Sequence, residues 1–424
     1  MLHPTAADAH PLGGGLTLRS VSGQADIERL AAFNALIHGE LVDGMTRNLI
    51  VHHPHTRPEH WLFIDDEAGR VVSSLCLIPW TWRYGPATLR SGEMGIVGTL
   101  PEFRHGGRSL VAALVERFDE LLDTEGYALS HIQGIPYYYR RYGYDYALPL
   151  EPHLNLELRN IPDARSADDA FTIRPARPDD LPALVALYNE AARMLDLFAE
   201  RDEATWRYLL LDTAGTAMEA DTWVIAGWDG SVIGYWRVAA MGFGDGLIVS
   251  EASQLPHRAA QAALRHLKAL AEARGKPYLR LNLAAESSLA RMAQAWGAYD
   301  AGGYEWQIKV VDVPRLFMQI APALEQRLAR SPFAGLTETV LLNLYREAFT
   351  LRFEDGRLAA VEHAGFTDEG TIKIPPSLLP KLVLGHRDRV ALRAAYPDFA
   401  VWGEARYLLD VLFPPMRSFL YPTY

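Results

Sequence analysis

The stretch from Glu93 to Ser109 holds the residues whose types and spacing most directly imply chemistry. A strand-like run, Glu93-Met-Gly-Ile-Val97-Gly98-Thr99, leads through Arg104-His105-Gly106-Gly107-Arg108-Ser109 into a segment whose apolar residues, Leu110, Ala113, Leu114, Phe118, Leu121 and Leu122, recur at helical spacing. A glycine-containing loop that opens a helix is a seat for an anion. The first amide groups of the helix have no partner within it, the helix dipole favours negative charge there, and the missing side chains at Gly106 and Gly107 let a phosphate approach the backbone. Arg104 and Arg108 add positive charge on the rim. The stretch has no Gly-Lys-Ser/Thr ending and no Gly-x-Gly-x-x-Gly, so neither a nucleoside-triphosphate loop nor a dinucleotide fold is the reading.

The same loop resembles the pyrophosphate signature of the GCN5-related N-acetyltransferases (GNAT), Arg/Gln-x-x-Gly-x-Gly/Ala, here Arg104-His-Gly-Gly107-Arg-Ser109 with a small residue of another type in the last place. Two further positions match. That superfamily carries a Tyr four residues before a Gly-aromatic pair, as Tyr139 stands to Gly143-Tyr144, and its phenol protonates the departing coenzyme A thiolate. Its histone-acetyltransferase branch carries a general base on the preceding strand, and Glu93 stands there, ahead of Arg104.

Composition bounds what surrounds these residues. At 424 residues the chain is expected to hold several domains, and its average balance of apolar and charged residues implies a soluble globular protein. Cys76 is the only cysteine, which excludes a disulfide framework and a Cys-based zinc site and suits a cytoplasmic setting. A net charge of −11 argues against nucleic acid as the main partner. Neither a signal peptide nor an apolar run long enough to span a bilayer is evident. His52, His53, His55 and His60 invite a metal reading. Their spacing around two prolines matches no standard site, so a loop lining a pocket is expected and no metal.

Taken in order, residues 1–15 read as a flexible tail. Leu16 to Arg19 read as a strand, Asp26 to His38 as an amphipathic helix, and Trp61–Asp65 with Val71–Ile78 as a hairpin; the signature strand and helix follow, then a strand at Ala128–Ile132. The order then returns 155 residues later: Leu16-Thr-Leu-Arg19 at Phe171-Thr-Ile-Arg174, Phe33-Asn34 at Tyr188-Asn189, and Leu100-Pro101 at Leu255-Pro256. The copy reads His257-Arg-Ala-Ala-Gln-Ala-Ala263 where the loop glycines should be, and Ala293-Gln-Ala-Trp296-Gly297 where the Tyr should be. It is expected to keep the fold and to have lost the site. From about Val310 a different pattern begins, with a helix at Val313–Leu328, a hairpin around Asp355-Gly356, and an apolar, aromatic tail ending at Tyr424.

The whole resembles the enhanced intracellular survival (Eis) branch of these acetyltransferases. The resemblance implies a mixed α/β chain with two tandem GNAT domains, 16–160 catalytic and 161–310 degenerate, and a sterol-carrier-like α+β domain over 311–424. It implies acetyl-coenzyme A as acetyl donor, a small-molecule or peptide amine as acceptor, and a homo-oligomer such as a hexamer. Residue by residue, Val97, Gly98 and Thr99 would hold the pantetheine, Arg104 through Leu110 the pyrophosphate, and Gly134 and Ile135 would flank the thioester. Tyr139 would be the acid, and two bases compete: Glu93, and the carboxylate of the last residue, Tyr424, which the whole-chain likeness favours slightly. Direct transfer needs both roles, since the amine must lose a proton and the thiolate gain one. Two rival readings are a protein that binds coenzyme A or a lipid without turnover and uses its C-terminal domain for a partner, and a tandem aminoacyl or acyl transferase.

Overall fold

Two strands in the middle of the first sheet shape everything around them. In the computed structural model, which describes residues 9–104, 109–163 and 170–424, the long strands Val71–Tyr84 and Ala87–Thr99 form one antiparallel hairpin. The strand Leu129–Ile132 lies parallel to Ala87–Thr99, but only over Ser91, Gly92 and Glu93, opposite Leu129, Ser130 and His131. Beyond Glu93 the two part. The cause is a bulge in the hairpin: Ser74 faces Gly98 and Cys76 faces Gly95, so Ile96 and Val97 together oppose Leu75. Ile96 has φ 47°, a left-handed conformation that a β-branched residue adopts only under constraint.

Among the described residues the chain forms three sheets, of nine, seven and five strands. The first runs from His10–Gly13 through Leu16–Ser20, Trp61–Asp65 and the long hairpin to Leu129–Ile132. The expected tail 1–15 thus already contains a strand, because Gly13, Gly14 and Gly15 all take positive φ and turn the chain back onto Leu16–Ser20. The second sheet has the same sequence of pairings, from Thr172–Pro175 through the hairpin Ala220–Ala226 and Val232–Ala239 to Leu247–Ala252, with Tyr278–Leu281 parallel to it.

The two sheets trade strands. Tyr304–Val310 enters the first sheet between Leu129–Ile132 and Asp145–Leu150, while Leu154–Glu157 enters the second between Tyr278–Leu281 and Tyr299–Asp300. Leu197–Ala199 also crosses over to pair with Trp82–Tyr84. Boundaries near 160 and 310 therefore divide the chain but not the sheets. Pulling the halves apart would leave edge strands unpaired on both sides. The third sheet contains Glu338–Asn343, the hairpin Ala348–Glu354 and Arg357–Gly365, and the short strands Ile372–Lys373 and Ala400–Val401.

Helices follow local pattern closely. Leu110–Thr124 starts where its apolar periodicity starts, capped by Ser109, whose Oγ accepts from the Ala112 amide at 3.3 Å. It buries Leu110, Leu114, Phe118 and Leu122 against the first sheet. In the second half the helix His257–Ala273 begins directly after Pro256. The alanines that follow Pro256 have the highest helix propensity, so the helix starts there without an intervening loop. The Tyr-rich segment departs from expectation in form. It is a short 3₁₀ turn, Tyr138–Tyr142, entered through Tyr137 at φ 67° and left through Gly143 at φ 89°.

Candidate active site

The parting of the strands after Glu93 and His131 makes a wedge open at the sheet centre. Side chains alternate across a strand, so Glu93 and His131 point to one face, and Ser130, between parallel neighbours, to the other. The two faces hold different chemistry.

On the first face Glu93 is buried. Its Oε2 accepts from Trp80 Nε1 at 2.9 Å and its Oε1 from the phenol of Tyr424 at 2.8 Å. Burial dominates these donors and pushes the carboxyl up from 4.5 to about 8. His131 is packed among the rings of Trp80, Trp82 and Trp306, with Nδ1 2.8 Å from Ser91 Oγ. Its Nε2 lies 3.9 Å from Glu93, yet the pair is no salt bridge, because burial lowers the imidazole to about 3 and keeps it neutral. The main chain before Tyr424 is held as well: the Thr423 carbonyl is 3.3 Å from His53 Nε2. A cavity of about 200 Å³ opens beside Trp80 and Thr423, lined also by His55, His60, Glu125 and Glu200.

On the other face Ser130 Oγ donates to the Gly92 carbonyl at 2.7 Å and meets the Tyr144 hydroxyl at 2.7 Å. Tyr139 lies next to Tyr144, nearly buried, and desolvation pushes its phenol well above the ordinary 10. Its ring rests on the backbone of Gly134, where an added Cβ would stand 2.5 Å from the ring and 2.7 Å from Gln307 Nε2. Gln307, on the strand received from the other half, donates to the Gly134 carbonyl at 2.9 Å and Tyr304 OH donates to it at 3.1 Å. Among the described residues nothing is hydrogen-bonded to the Tyr139 hydroxyl, which leaves it able to give its proton to a ligand.

The remaining expected residues follow the wedge. Val97 lies in the bulge and Thr99 just past it, and Gly98 between them is buried, its carbonyl accepting from Ser73 Oγ at 3.0 Å. Arg104 Nε donates to the Thr99 carbonyl at 3.0 Å, which ties the strand end to the loop. Beside Arg104, Phe33, Leu36 and Ile37 line a largely apolar cavity of about 600 Å³, with Arg29 and Arg70 on its rim. Ser109 and Leu110 open the helix, while His105, Gly106, Gly107 and Arg108 lie outside the described residues. Ile135 is exposed, its carbonyl accepting from Gln307 at 3.3 Å. The bulge, the open wedge and the capped helix start fit an extended thioester donor that ends in phosphates.

Of the four histidines His53 and His55 meet edge to face, with ring centroids 5.9 Å apart, and His55 and His60 line the cavity beside Trp80. His53 turns to Thr423, His55 lies 3.2 Å from Asp202, His60 lies 3.0 Å from Glu125, and His52 is exposed. Sequence reasoning missed Trp80, His131 and Gln307. His131 faces Glu93 only through the register of two parallel strands, and no local signal marks any of the three.

The wedge between parallel strands thus has the Tyr139 phenol on one face and the buried Glu93 carboxyl on the other. The acetyltransferase (GNAT) domain family matches residues 49–147, and the protein is an acyltransferase enzyme. GNAT enzymes take their acyl group from acetyl- or acyl-coenzyme A. No curated protein matches the sequence. Among solved structures, a GCN5-related N-acetyltransferase from Anabaena variabilis is similar at TM-score 0.70 with 16% identity, over 96% of this chain and 99% of that one. A probable N-acyltransferase from Enterococcus faecalis reaches 0.71 with 14% identity over 96% and 100%. Eis1 from Mycobacterium abscessus reaches 0.62 with 17% identity over 96% and 100%. These likenesses are of fold. Among the described residues no helix is long and apolar enough to cross a membrane.

Proposed function

We propose that this protein is an Eis-like N-acetyltransferase that moves the acetyl group of acetyl-coenzyme A directly to a primary amine, of the aminoglycoside, polyamine or lysine type. The seven-stranded sheet is then a second, silent acetyltransferase-like unit, and the five-stranded sheet with its helices a sterol-carrier-like domain. The observation that carries the reading is the hydrogen bond between Tyr424 and Glu93, residues 331 apart in sequence. One candidate base, Glu93, is thus held by the phenol of the residue whose main-chain carboxylate is the other, while the candidate acid, Tyr139, sits on the other face.

Acetyl-coenzyme A supplies the activated acyl group. Val97, Gly98 and Thr99 hold the donor along the parted strand, and Arg104 with the helix start at Ser109 and Leu110 receives its phosphates. The acceptor amine enters from the cavity beside Trp80 and Thr423. Glu93, or the main-chain carboxylate of Tyr424, takes the amine proton, and a carboxyl raised toward neutrality is suited to that role. Tyr139 gives its proton to the thiolate.

The test is thiol release from acetyl-coenzyme A over a panel of polyamines, aminoglycosides and lysine peptides. Tyr139→Phe is expected to lower kcat by about 10²–10⁴-fold with KM for the donor little changed. Glu93→Gln, Tyr424→Phe and deletion of Tyr424 separate the two bases, since Tyr424→Phe removes the phenol and keeps the main-chain carboxylate. Absence of amine-dependent release with the whole panel would sink the proposal.

A further inference from the structure

The last residues of the chain lie between the two large sheets as an extended segment with alternating sides. Phe419 and Tyr421 are buried in the core of the second sheet, and Leu420 and Tyr424 in the core of the first. The segment is pinned where it enters: Arg417 pairs with Asp196 through side chain and backbone, Ser418 bridges to Leu197, and the Phe419 amide donates to the Leu197 carbonyl at 3.1 Å.

Tyr421 ends in a telling place. The second sheet has its own parting strands: Leu247–Ala252 pairs in parallel with Tyr278–Leu281 up to Val249 opposite Leu281, with a register shift in the neighbouring hairpin as in the first sheet. Three residues past that last pairing comes Ala284, and its amide donates to the Tyr421 hydroxyl at 3.3 Å. In the first sheet the residue three past His131 is Gly134, the one on which Tyr139 rests. Tyr421 thus reaches into the second wedge at the level where the first wedge is built for chemistry.

A buried ion pair stands behind it. Arg201 makes a bidentate pair with Glu251, at 2.9 and 2.8 Å, both side chains fully enclosed. Tyr235 OH donates to Glu251 at 2.7 Å, and the Arg201 guanidinium lies 4.5 Å from the Tyr188 ring centroid and 5.1 Å from that of Trp206. Its second Nη also donates to the carbonyl of Pro422. Taking two charges out of water is costly and adds little stability by itself, so a retained buried pair points to a geometry it must hold. Here that geometry is the main chain two residues before Tyr424.

We infer that the wedge of the second sheet is a socket for the C-terminal segment, in which Tyr421 and the Arg201–Glu251 pair act as positioning residues that set Tyr424 against Glu93. The inference rests on the proposed function for its catalytic consequence, but the seating of the segment does not. The silent half then serves the working one, because the space that a donor would fill in a working copy holds the chain's own tail.

The test pairs a structural and a kinetic readout on the full chain. Arg201→Met with Glu251→Met removes the grip on Pro422 together with the carboxylate it pairs with, and leaves the buried Arg237 with its bond to the Leu209 carbonyl. Tyr421→Ala empties the wedge and leaves the ion pair in place, so it serves where the double exchange fails to fold. Carboxypeptidase Y should remove Tyr424 and Thr423 at least about tenfold faster from either variant than from wild type. In either, kcat should fall about 10–100-fold toward that of the chain lacking Tyr424, as a displaced reacting group requires, with KM for acetyl-coenzyme A within about twofold. Unchanged release rates in both variants would overturn the socket, and faster release with unchanged kcat would overturn the positioning role. A wild-type protein that acetylates no amine would refute the proposed function, while the release rates would still decide the socket.

Discussion

Replacing Glu93 by Gln tests the electrostatics of the first face most sharply, because from neutral pH upward it should make the protein more stable even where it removes the base. The carboxyl is held at about 8 in the folded chain against an ordinary 4.5, mainly by burial. Between those values the unfolded chain has released the proton and the folded one still holds it. The unfolded state therefore binds fewer protons, and stability falls as pH rises through this window. Each unit of displacement corresponds to ~1.4 kcal/mol, so the penalty is close to nil below pH 4.5, roughly 3 kcal/mol at pH 7 and roughly 5 kcal/mol by pH 9. Glutamine stays neutral throughout and removes that dependence. It still accepts from Tyr424 but turns an amide toward Trp80 Nε1 in place of an oxygen, a loss of about 1 kcal/mol at every pH. Urea denaturation of both proteins at pH 5, 7 and 9 should show Glu93→Gln slightly less stable at pH 5 and more stable by a few kcal/mol at pH 9. If Glu93 is the base, the alkaline rise of kcat/KM with an apparent pKa near 8 disappears in the same variant. Parallel stability curves for the two proteins would refute the burial argument, whatever the kinetics.

Two further outcomes follow from contacts around the wedge. Gly134→Ala puts a methyl group 2.5 Å from the Tyr139 ring, so kcat should fall at least about tenfold through a displaced acid, while thermal unfolding shifts by a few degrees; unchanged steady-state rates would mean that the ring position is immaterial. Trp80→Phe removes a donor that favours the ionised Glu93, and the pH–rate limb assigned to that residue should move about one unit further alkaline, read from kcat/KM between pH 6 and 10.

Much of this was legible in local pattern. The helices Leu110–Thr124 and His257–Ala273 and the hairpin around Asp355-Gly356 are set by periodicity, propensity and turn residues, which act over a few neighbours. For the same reason Glu93, Arg104 and Tyr139 could be picked out by their spacing within one unit. What spacing could not convey is which distant strands fill each sheet. Tyr304–Val310 and Leu154–Glu157 carry no local mark of the sheet they join, because strand partners are chosen by the register and packing of the whole assembly.

The amino-acid sequence alone pointed to an anion seat at Arg104–Ser109, to a return of the same order 155 residues later, and to alanines where that second stretch would need glycines, since each reading depends on residue type at a short separation. Only the tertiary structure decided that Tyr424 meets Glu93, that a crossed-over Gln307 braces Gly134, and that Tyr421 occupies the second wedge. Burial made that difference. Solvent exclusion turns Glu93 from an ordinary strand acid into one raised toward neutrality, and exclusion is a property of the packed whole.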